Sequence, residues 1–95
     1  MIFTANIYVS LKSTVSDPQG ATVSGALSQL GFDSVKNVRV GKYITLEIDK
    51  PSKEEAESAV SNMCEQLLAN TVIEDWDYEI TEIESFPRGV ADVSL

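Results

Sequence analysis

Residues 11–20 have the sequence LKSTVSDPQG and separate a β-like alternation of apolar residues from a pattern with helical period. Asp17 is a predicted N-cap, because its carboxylate can accept a hydrogen bond from a free backbone N–H of the first turn. Pro18 suits the first helical position, where it has no hydrogen bond to lose. Gly20 costs about 1 kcal/mol relative to alanine inside a helix. This cost suggests that another backbone packs closely there, although an ordinary helix start explains the same residues.

The segments on either side of this junction are strongly patterned. Apolar residues alternate through the first segment and predict a strand with one buried face: Phe3, Ala5, Ile7, Val9 and Leu11. In the next segment they recur three and four residues apart and predict one apolar stripe on a helix: Val23, Ala26, Leu27 and Leu30. Gly31 is placed to end this helix as a left-handed C-cap, with Phe32 packing back over the last turn. Gly25 suggests a second position where something packs closely.

Two more strands, joined by a hairpin, are predicted after the first helix. Residues 34–40 are rich in valine, and residues 43–49 alternate between apolar and polar side chains. Gly41-Lys42 lies between these runs and suits a two-residue type II′ turn, in which glycine supplies the positive φ.

A second helix and a last strand follow. Ser52 and Glu55 form a capping box, which predicts a helix start. The apolar stripe of this helix has helical spacing: Ala56, Val60, Met63, Cys64 and Leu67. The helix is expected to end near Ala69-Asn70, and alternation over residues 72–80 predicts the last strand.

The predicted order is β-α-β-β-α-β, the split-βαβ or ferredoxin-like pattern. It implies an α+β two-layer sandwich, with a four-stranded, mostly antiparallel sheet and two helices on one face. We expect one domain over residues 1–83 and a C-terminal tail over residues 84–95, where no useful period is found. A chain of 95 residues buries only about two thirds of its unfolded surface, so self-association is a common supplement to its core.

Composition and charge exclude several classes of protein. The net charge of −8 argues against binding nucleic acid, whose phosphates require a positive surface. No run approaches the ~20 apolar residues of a membrane span, and the first residues lack the pattern of a secretory signal. The single cysteine, Cys64, cannot form an internal disulfide, so a reducing, cytoplasmic location is expected. On the helical stripe, it is expected to be a small buried hydrophobe rather than a reactive thiol.

The charge is unevenly distributed along the chain. Residues 1–53 hold six basic and four acidic side chains, whereas residues 54–95 hold one basic and eleven acidic side chains. This asymmetry suits a protein whose faces meet different partners. A solvated acidic helix and strand explain it equally well.

Catalytic chemistry is poorly represented in the chain. There is no histidine, so the common serine and cysteine nucleophile systems are absent, and a zinc or iron–sulfur site is implausible. No glycine-rich phosphate loop is found. Paired carboxylates such as Asp75 and Asp77 are interpreted as solvated surface. These observations favour a non-catalytic α+β module that binds another protein.

The sequence also resembles the PurS family, the small subunit of phosphoribosylformylglycinamidine synthase. The resemblance covers residues 3–81, and these segments carry it: VSLK at 9–12, DPQG at 17–20, LGF at 30–32, VRVGK at 38–42, MCEQLLAN at 63–70 and VIE at 72–74. Thr71 departs from the family, in which proline usually follows the asparagine. The tail beyond residue 84 is longer than is common in the family.

The resemblance implies an assembly role. Such a chain would pair with itself, as a homodimer or a higher oligomer, and would bridge a synthetase subunit, PurL, to a glutaminase subunit, PurQ. The complex would convert formylglycinamide ribonucleotide to formylglycinamidine ribonucleotide in de novo purine biosynthesis, using ATP, magnesium and glutamine. No cofactor would bind to the small subunit, which would support docking and the passage of ammonia.

We hypothesise that the strand-to-helix junction and the predicted hairpin form a contact surface for the large subunit. Both combine a tight backbone with polar groups at loop ends, and Arg39 offers a planar fork suited to a carboxylate. The candidate residues are Asp17, Pro18, Gln19, Gly20, Arg39, Gly41 and Lys42. The alternative is that Gly41 merely serves the turn and that Arg39 pairs internally.

Two rival functions share the predicted topology. One is a regulatory domain that binds a small molecule between paired subunits. The other is an acylphosphatase-type enzyme, which needs an arginine and an asparagine near the first strand-to-helix loop. Here that loop, residues 13–17, contains no arginine and carries an acid.

Overall fold

The computed structural model describes residues 1–83, which form an α+β arrangement of three strands and two α-helices. The elements are β1 (Ile2–Leu11), α1 (Pro18–Gln29), β2 (Lys42–Asp49), α2 (Lys53–Met63), a π-helical turn (Cys64–Leu68) that continues α2, and β3 (Glu74–Ile83). The strand order is β2-β1-β3, and β1 pairs antiparallel with both neighbours.

The ends of α1 agree with the sequence prediction. The side chain of Asp17 accepts a hydrogen bond from the backbone N–H of Gly20 at 2.9 Å, and Pro18 is the first helical residue. At the other end, Gly31 has φ +98°, and the N–H of Phe32 donates to the carbonyl of Leu27 at 3.0 Å. That bond is the signature of a Schellman C-cap, so the predicted left-handed glycine is confirmed.

The second helix also begins as predicted. The Ser52 hydroxyl accepts a hydrogen bond from the N–H of Glu55 at 3.2 Å. Past Met63 the helix widens, and the N–H of Ala69 donates to the carbonyl of Cys64 at 3.0 Å, which is an i to i+5 bond. Such π-helical turns are rare and are often found near functional sites.

The core lies on one face of the sheet, beneath α2. Its buried members come from alternate positions of β1, from one position of β3, and from α2, the π-helical turn and the residue after it: Phe3, Ala5, Ile7, Val9, Ile80, Ala56, Val60, Cys64 and Ala69. Fully burying a large aliphatic or aromatic side chain contributes about 1.5–3 kcal/mol. Burial also raises the pKa of the Cys64 thiol, so this cysteine is the small buried hydrophobe that the sequence predicted.

The expected fourth strand and the ferredoxin-like arrangement are not confirmed. Within residues 1–83, the valine-rich run at 34–40 forms no strand, Lys42 is already the first residue of β2, and Gly41 does not have positive φ. The predicted hairpin turn is therefore wrong. The reason is that this run lies against the start of α1 and has no strand beside it: the N–H of Val40 donates to the Asp17 carboxylate at 2.8 Å.

The two helices are not equivalent neighbours of the sheet. Among the described residues, α2 packs against β1 and β3, whereas α1 packs against no strand to a comparable extent. The apolar stripe of α1 is correspondingly open, and Leu30 is 73% exposed. The expected tail, residues 84–95, lies outside the described residues.

Candidate interaction site at the strand-to-helix junction

The structure brings the two predicted contact segments together at one end of the sheet. Four of the seven candidate residues lie at the start of α1: Asp17, Pro18, Gln19 and Gly20. Arg39 and Gly41 lie just before β2, and Lys42 is its first residue. Residues 38–41, which we call the β2 approach, run along the first turn of α1. The two groups therefore form one continuous surface, which we call the junction.

Asp17 is the centre of the junction. Its side chain accepts hydrogen bonds from two backbone N–H groups, that of Gly20 at 2.9 Å and that of Val40 at 2.8 Å, and the residue is only 8% exposed. These two bonds stabilise the carboxylate and hold the pKa of Asp17 below its usual value, with a smaller contribution from the nearby Arg39 charge. Asp17 therefore joins the helix start to the β2 approach.

Arg39 pairs within the chain. Its Nη2 donates to the carbonyl oxygen of Lys12 at 3.0 Å and to that of Val15 at 2.9 Å. The guanidinium thus ties the β2 approach to the loop between β1 and α1. The internal alternative that the sequence left open is the contact that the structure shows, and contact with another subunit stays a prediction.

The two junction glycines are needed for close backbone approach. A Cβ on Gly20 would lie 2.1 Å from the carbonyl oxygen of Val38, and one on Gly41 would lie 2.6 Å from that of Val9. The close contact predicted at Gly20 is confirmed, and Gly41 serves packing rather than a turn. At Gly25, by contrast, a Cβ would meet no neighbour within 4 Å in the described chain, so no close contact is found there.

The outer surface of the junction is formed by Pro18, Gln19 and Lys42, all of which are exposed. Lys42 Nζ donates to the carbonyl of Leu68 at 3.2 Å and lies 3.8 Å from a carboxylate oxygen of Glu74. A cavity of about 260 Å³ opens between Gln19, Lys42 and the start of β3. A second, shallower hollow of about 360 Å³ lies beside Pro18, Gln19 and Val23. The outer surface thus presents an apolar ring, a side-chain amide and an ammonium group to solvent.

Sequence reasoning missed an apolar feature at the same end of the sheet. Leu67 was expected on the buried stripe of the second helix but is 82% exposed, and Val72 is also exposed. The π-helical turn causes this error, because the extra residue in the turn rotates Leu67 away from the face that α2 buries. A helical period of 3.6 residues gives no signal of such a rotation.

The lowered pKa of Asp17 makes the free energy of unfolding depend on pH in the acidic range. Its folded-state pKa is below the unfolded value of about 3.9, so its contribution is complete above that pH and is lost as the pH falls through the folded pKa. We expect the urea midpoint to fall from about pH 4 downward. The Asp17→Asn variant should have a lower midpoint near neutral pH and a flatter decline below about pH 4. An acid decline as steep in Asp17→Asn as in the parent chain would contradict this assignment.

Comparison with known proteins places these features in context. The family model of PurS, phosphoribosylformylglycinamidine (FGAM) synthase, matches residues 4–82. The PurS subunit of the synthase from Synechocystis is 50% identical over 78 residues, which cover 82% of this chain and 78% of that protein. The corresponding subunit from Bacillus subtilis is 48% identical over 82 residues, which cover 86% of this chain and 96% of that protein.

Solved structures of PurS chains are also similar to this chain. A crystal form of B. subtilis PurS superposes with a TM-score of 0.77 at 49% identity, over 84% of this chain and 99% of that one. A chain in the PurLQS structure from Thermotoga maritima superposes with a TM-score of 0.79 at 36% identity, over 85% of this chain and 99% of that one. Among residues 1–83, no helix is long and apolar enough to cross a membrane.

Proposed function

Because the chain belongs to the PurS family, we propose that it is the non-catalytic small subunit of a phosphoribosylformylglycinamidine synthase in purine biosynthesis. That synthase is a ligase complex that uses glutamine and ATP. The family match extends over nearly all of the described residues, and relatives with up to 50% identity carry the same name.

The similarity to the PurLQS structure supports assembly with a PurL synthetase and a PurQ glutaminase. In this assembly the chain bridges the two larger subunits and supports the transfer of ammonia between their active sites. Magnesium belongs with ATP on the larger subunits. The single observation that carries this proposal is that the structural match covers 99% of the corresponding chain in that complex.

We assign contact with a larger subunit to the outer surface of the junction. Pro18, Gln19 and Lys42 are exposed there, and the inner residues fix the backbone beneath them through hydrogen bonds and close packing. A surface whose backbone is already fixed loses little conformational entropy on binding, which favours affinity. Self-association as a homodimer and a cytoplasmic location complete the proposal. The open apolar stripe of α1 supports self-association. The free Cys64 thiol supports a reducing, cytoplasmic location.

Co-purification with tagged PurL and PurQ from the same organism tests the proposal, with and without glutamine and nucleotide. We expect a three-subunit complex. Gln19→Arg should weaken assembly about 10-fold or more, which corresponds to about 1.4 kcal/mol. Gln29→Arg, the same change at the exposed far end of α1, should leave the affinity unchanged.

Arg39 is tested separately, because its hydrogen bonds hold the loop between β1 and α1 and its loss can act through that loop. Arg39→Ala should weaken assembly by loosening the junction, and circular dichroism should establish that the variant is folded. A folded Arg39→Ala variant that assembles with unchanged affinity removes Arg39 from the surface. Failure of all variants and the parent to recruit PurL and PurQ would refute the assembly role.

A further inference from the structure

The turn between α2 and β3 presents large aliphatic side chains to solvent. We call residues 67–73 the α2–β3 corner. Leu67 is 82% exposed, Val72 is 79% exposed and Ile73 is 38% exposed. A single exposed aliphatic residue is ordinary on a protein surface, but three within seven residues form a local apolar patch. Turns are usually built from glycine, proline, asparagine, aspartate and serine, so the turn itself does not account for these side chains.

Hydrogen bonds and packing fix the backbone of the corner. Ala69 is buried and Leu68 packs against the core, so the corner is attached from within. The carbonyl of Asn70 accepts a hydrogen bond from the N–H of Ile73 at 3.1 Å, and its side chain accepts one from the N–H of Val72 at 3.1 Å. The exposed side chains therefore project from a fixed backbone, and ordering them on binding costs little conformational entropy.

The fold makes little use of the two outermost side chains. Leu67 and Val72 are each more than three quarters exposed, so they contribute little apolar burial to their own core. Leu67 reaches this position through the π-helical turn, and such irregular turns are often found at functional sites. Both side chains are therefore available to a partner without loss to the core.

The corner adjoins the outer surface of the junction. Lys42 belongs to that surface, and its Nζ donates a hydrogen bond to the carbonyl of Leu68 at 3.2 Å. The cavity of about 260 Å³ between Gln19, Lys42 and Glu74 lies at the same boundary. The corner and the outer junction surface therefore form one face, with the apolar and polar parts that a protein interface combines.

Charge indicates which kind of partner this face fits. Residues 54–83, which include the corner, contain nine acidic and no basic side chains. Within residues 1–83, ion pairs from Lys12 and Lys42 offset two of these charges, those of Asp75 and Glu74. A second copy would bring the same acidic segment against the corner, which is unfavourable. A partner that surrounds an apolar recess with basic groups is complementary.

We propose that Leu67 and Val72 anchor the contact with a larger subunit by inserting into an apolar recess with a basic rim. The recess lies on the same subunit that contacts the outer surface of the junction, because the corner and that surface form one face. This inference rests on the proposed assembly role and names the side chains that anchor the contact. Aliphatic anchors seated in a pocket and enclosed by a polar rim are typical of stable protein interfaces.

Leu67→Gln and Leu67→Met form a matched pair that tests the anchor. Both replacements are unbranched and favour helix, but only methionine keeps the apolar surface. With purified PurL and PurQ, we expect Leu67→Gln to raise the dissociation constant about 30-fold, which corresponds to about 2 kcal/mol for burying one large aliphatic side chain. Leu67→Met should change it less than about 3-fold, and the isosteric Val72→Thr should weaken binding. A Leu67→Gln variant that binds as tightly as the parent chain overturns the proposal.

Measurements on the chain alone separate the anchor from a role in folding or self-association. The urea midpoint and the sedimentation of Leu67→Gln should equal those of the parent, because the replaced side chain is largely exposed. A lower midpoint would assign Leu67 to the core, and lost self-association would assign it to a contact between copies. Either result would overturn the proposal.

Glu65→Lys tests the basic rim at an exposed position of the π-helical turn. It should weaken binding most at low salt, where repulsion between like charges is least screened. Unchanged affinity would contradict a basic rim. A parent chain that fails to bind PurL and PurQ would refute the assembly role and the anchor together. A parent and a Leu67→Gln variant that bind equally well would refute the anchor alone.

Discussion

Replacing Gly20 by alanine is expected to lower the free energy of unfolding by roughly 3 kcal/mol, the upper part of the usual range for overpacking. The added methyl carbon would lie 2.1 Å from the carbonyl oxygen of Val38, so the backbone of one segment must move. The hydrogen bond from Val40 to Asp17 binds the same two segments together, so the movement should disturb that bond as well. Equilibrium unfolding in urea measures the change.

Gly25→Ala is the matched control for this prediction. It is the same substitution in the same helix, but no neighbour lies within 4 Å of the new methyl group in the described chain. Alanine is the better helix former, so this variant should gain about 0.5–1 kcal/mol. Equal effects at both glycines would show that helix propensity, rather than the contact with Val38, decides the outcome.

Local signals in the sequence predicted the ends of the helices well. The helix caps at Asp17, Gly31 and Ser52 each include a hydrogen bond between residues three positions apart, so a short stretch of sequence contains both partners of each bond. The alternation in residues 3–11 likewise predicted the buried face of β1. The two segments that the sequence analysis grouped as one surface lie side by side in the structure, and their role as a contact surface stays a prediction.

The errors arose where the outcome depends on distant parts of the chain. Residues 34–40 have strand-like composition, but composition does not say whether another strand lies beside them, and here Val40 bonds to the helix start instead. The stripe of α1 was assigned to the chain's own sheet, because periodicity shows that a face is apolar without showing what covers it. The internal bonds of Arg39 join residues 24 and 27 positions apart, and no local pattern indicates them.

Omitting the chain from a reconstituted complex should have the largest effect on activity. If the chain holds PurL and PurQ together in the correct relative position, its removal should lower glutamine-dependent formation of the amidine by about 100-fold or more. That is the lower end of the gain expected from holding two partners together. PurL supplied with free ammonia should retain its activity, because the chain contributes no catalytic group. The separated chain alone should have no turnover.

The same reconstitution tests whether the junction is the surface that contacts a larger subunit. Gln19→Arg should restore glutamine-dependent activity poorly at low subunit concentration and better at high concentration, since its defect is in affinity. Gln29→Arg should restore it fully at both concentrations. Loss of activity in both variants would point to a general folding defect rather than to the junction surface.

The most direct measurement of the central claim is glutamine-dependent amidine formation by purified PurL and PurQ, with and without this chain, beside the same assay with free ammonia. The account predicts that adding the chain restores the glutamine-dependent reaction and leaves the ammonia-dependent one almost unchanged. Full glutamine-dependent activity without the chain would contradict it.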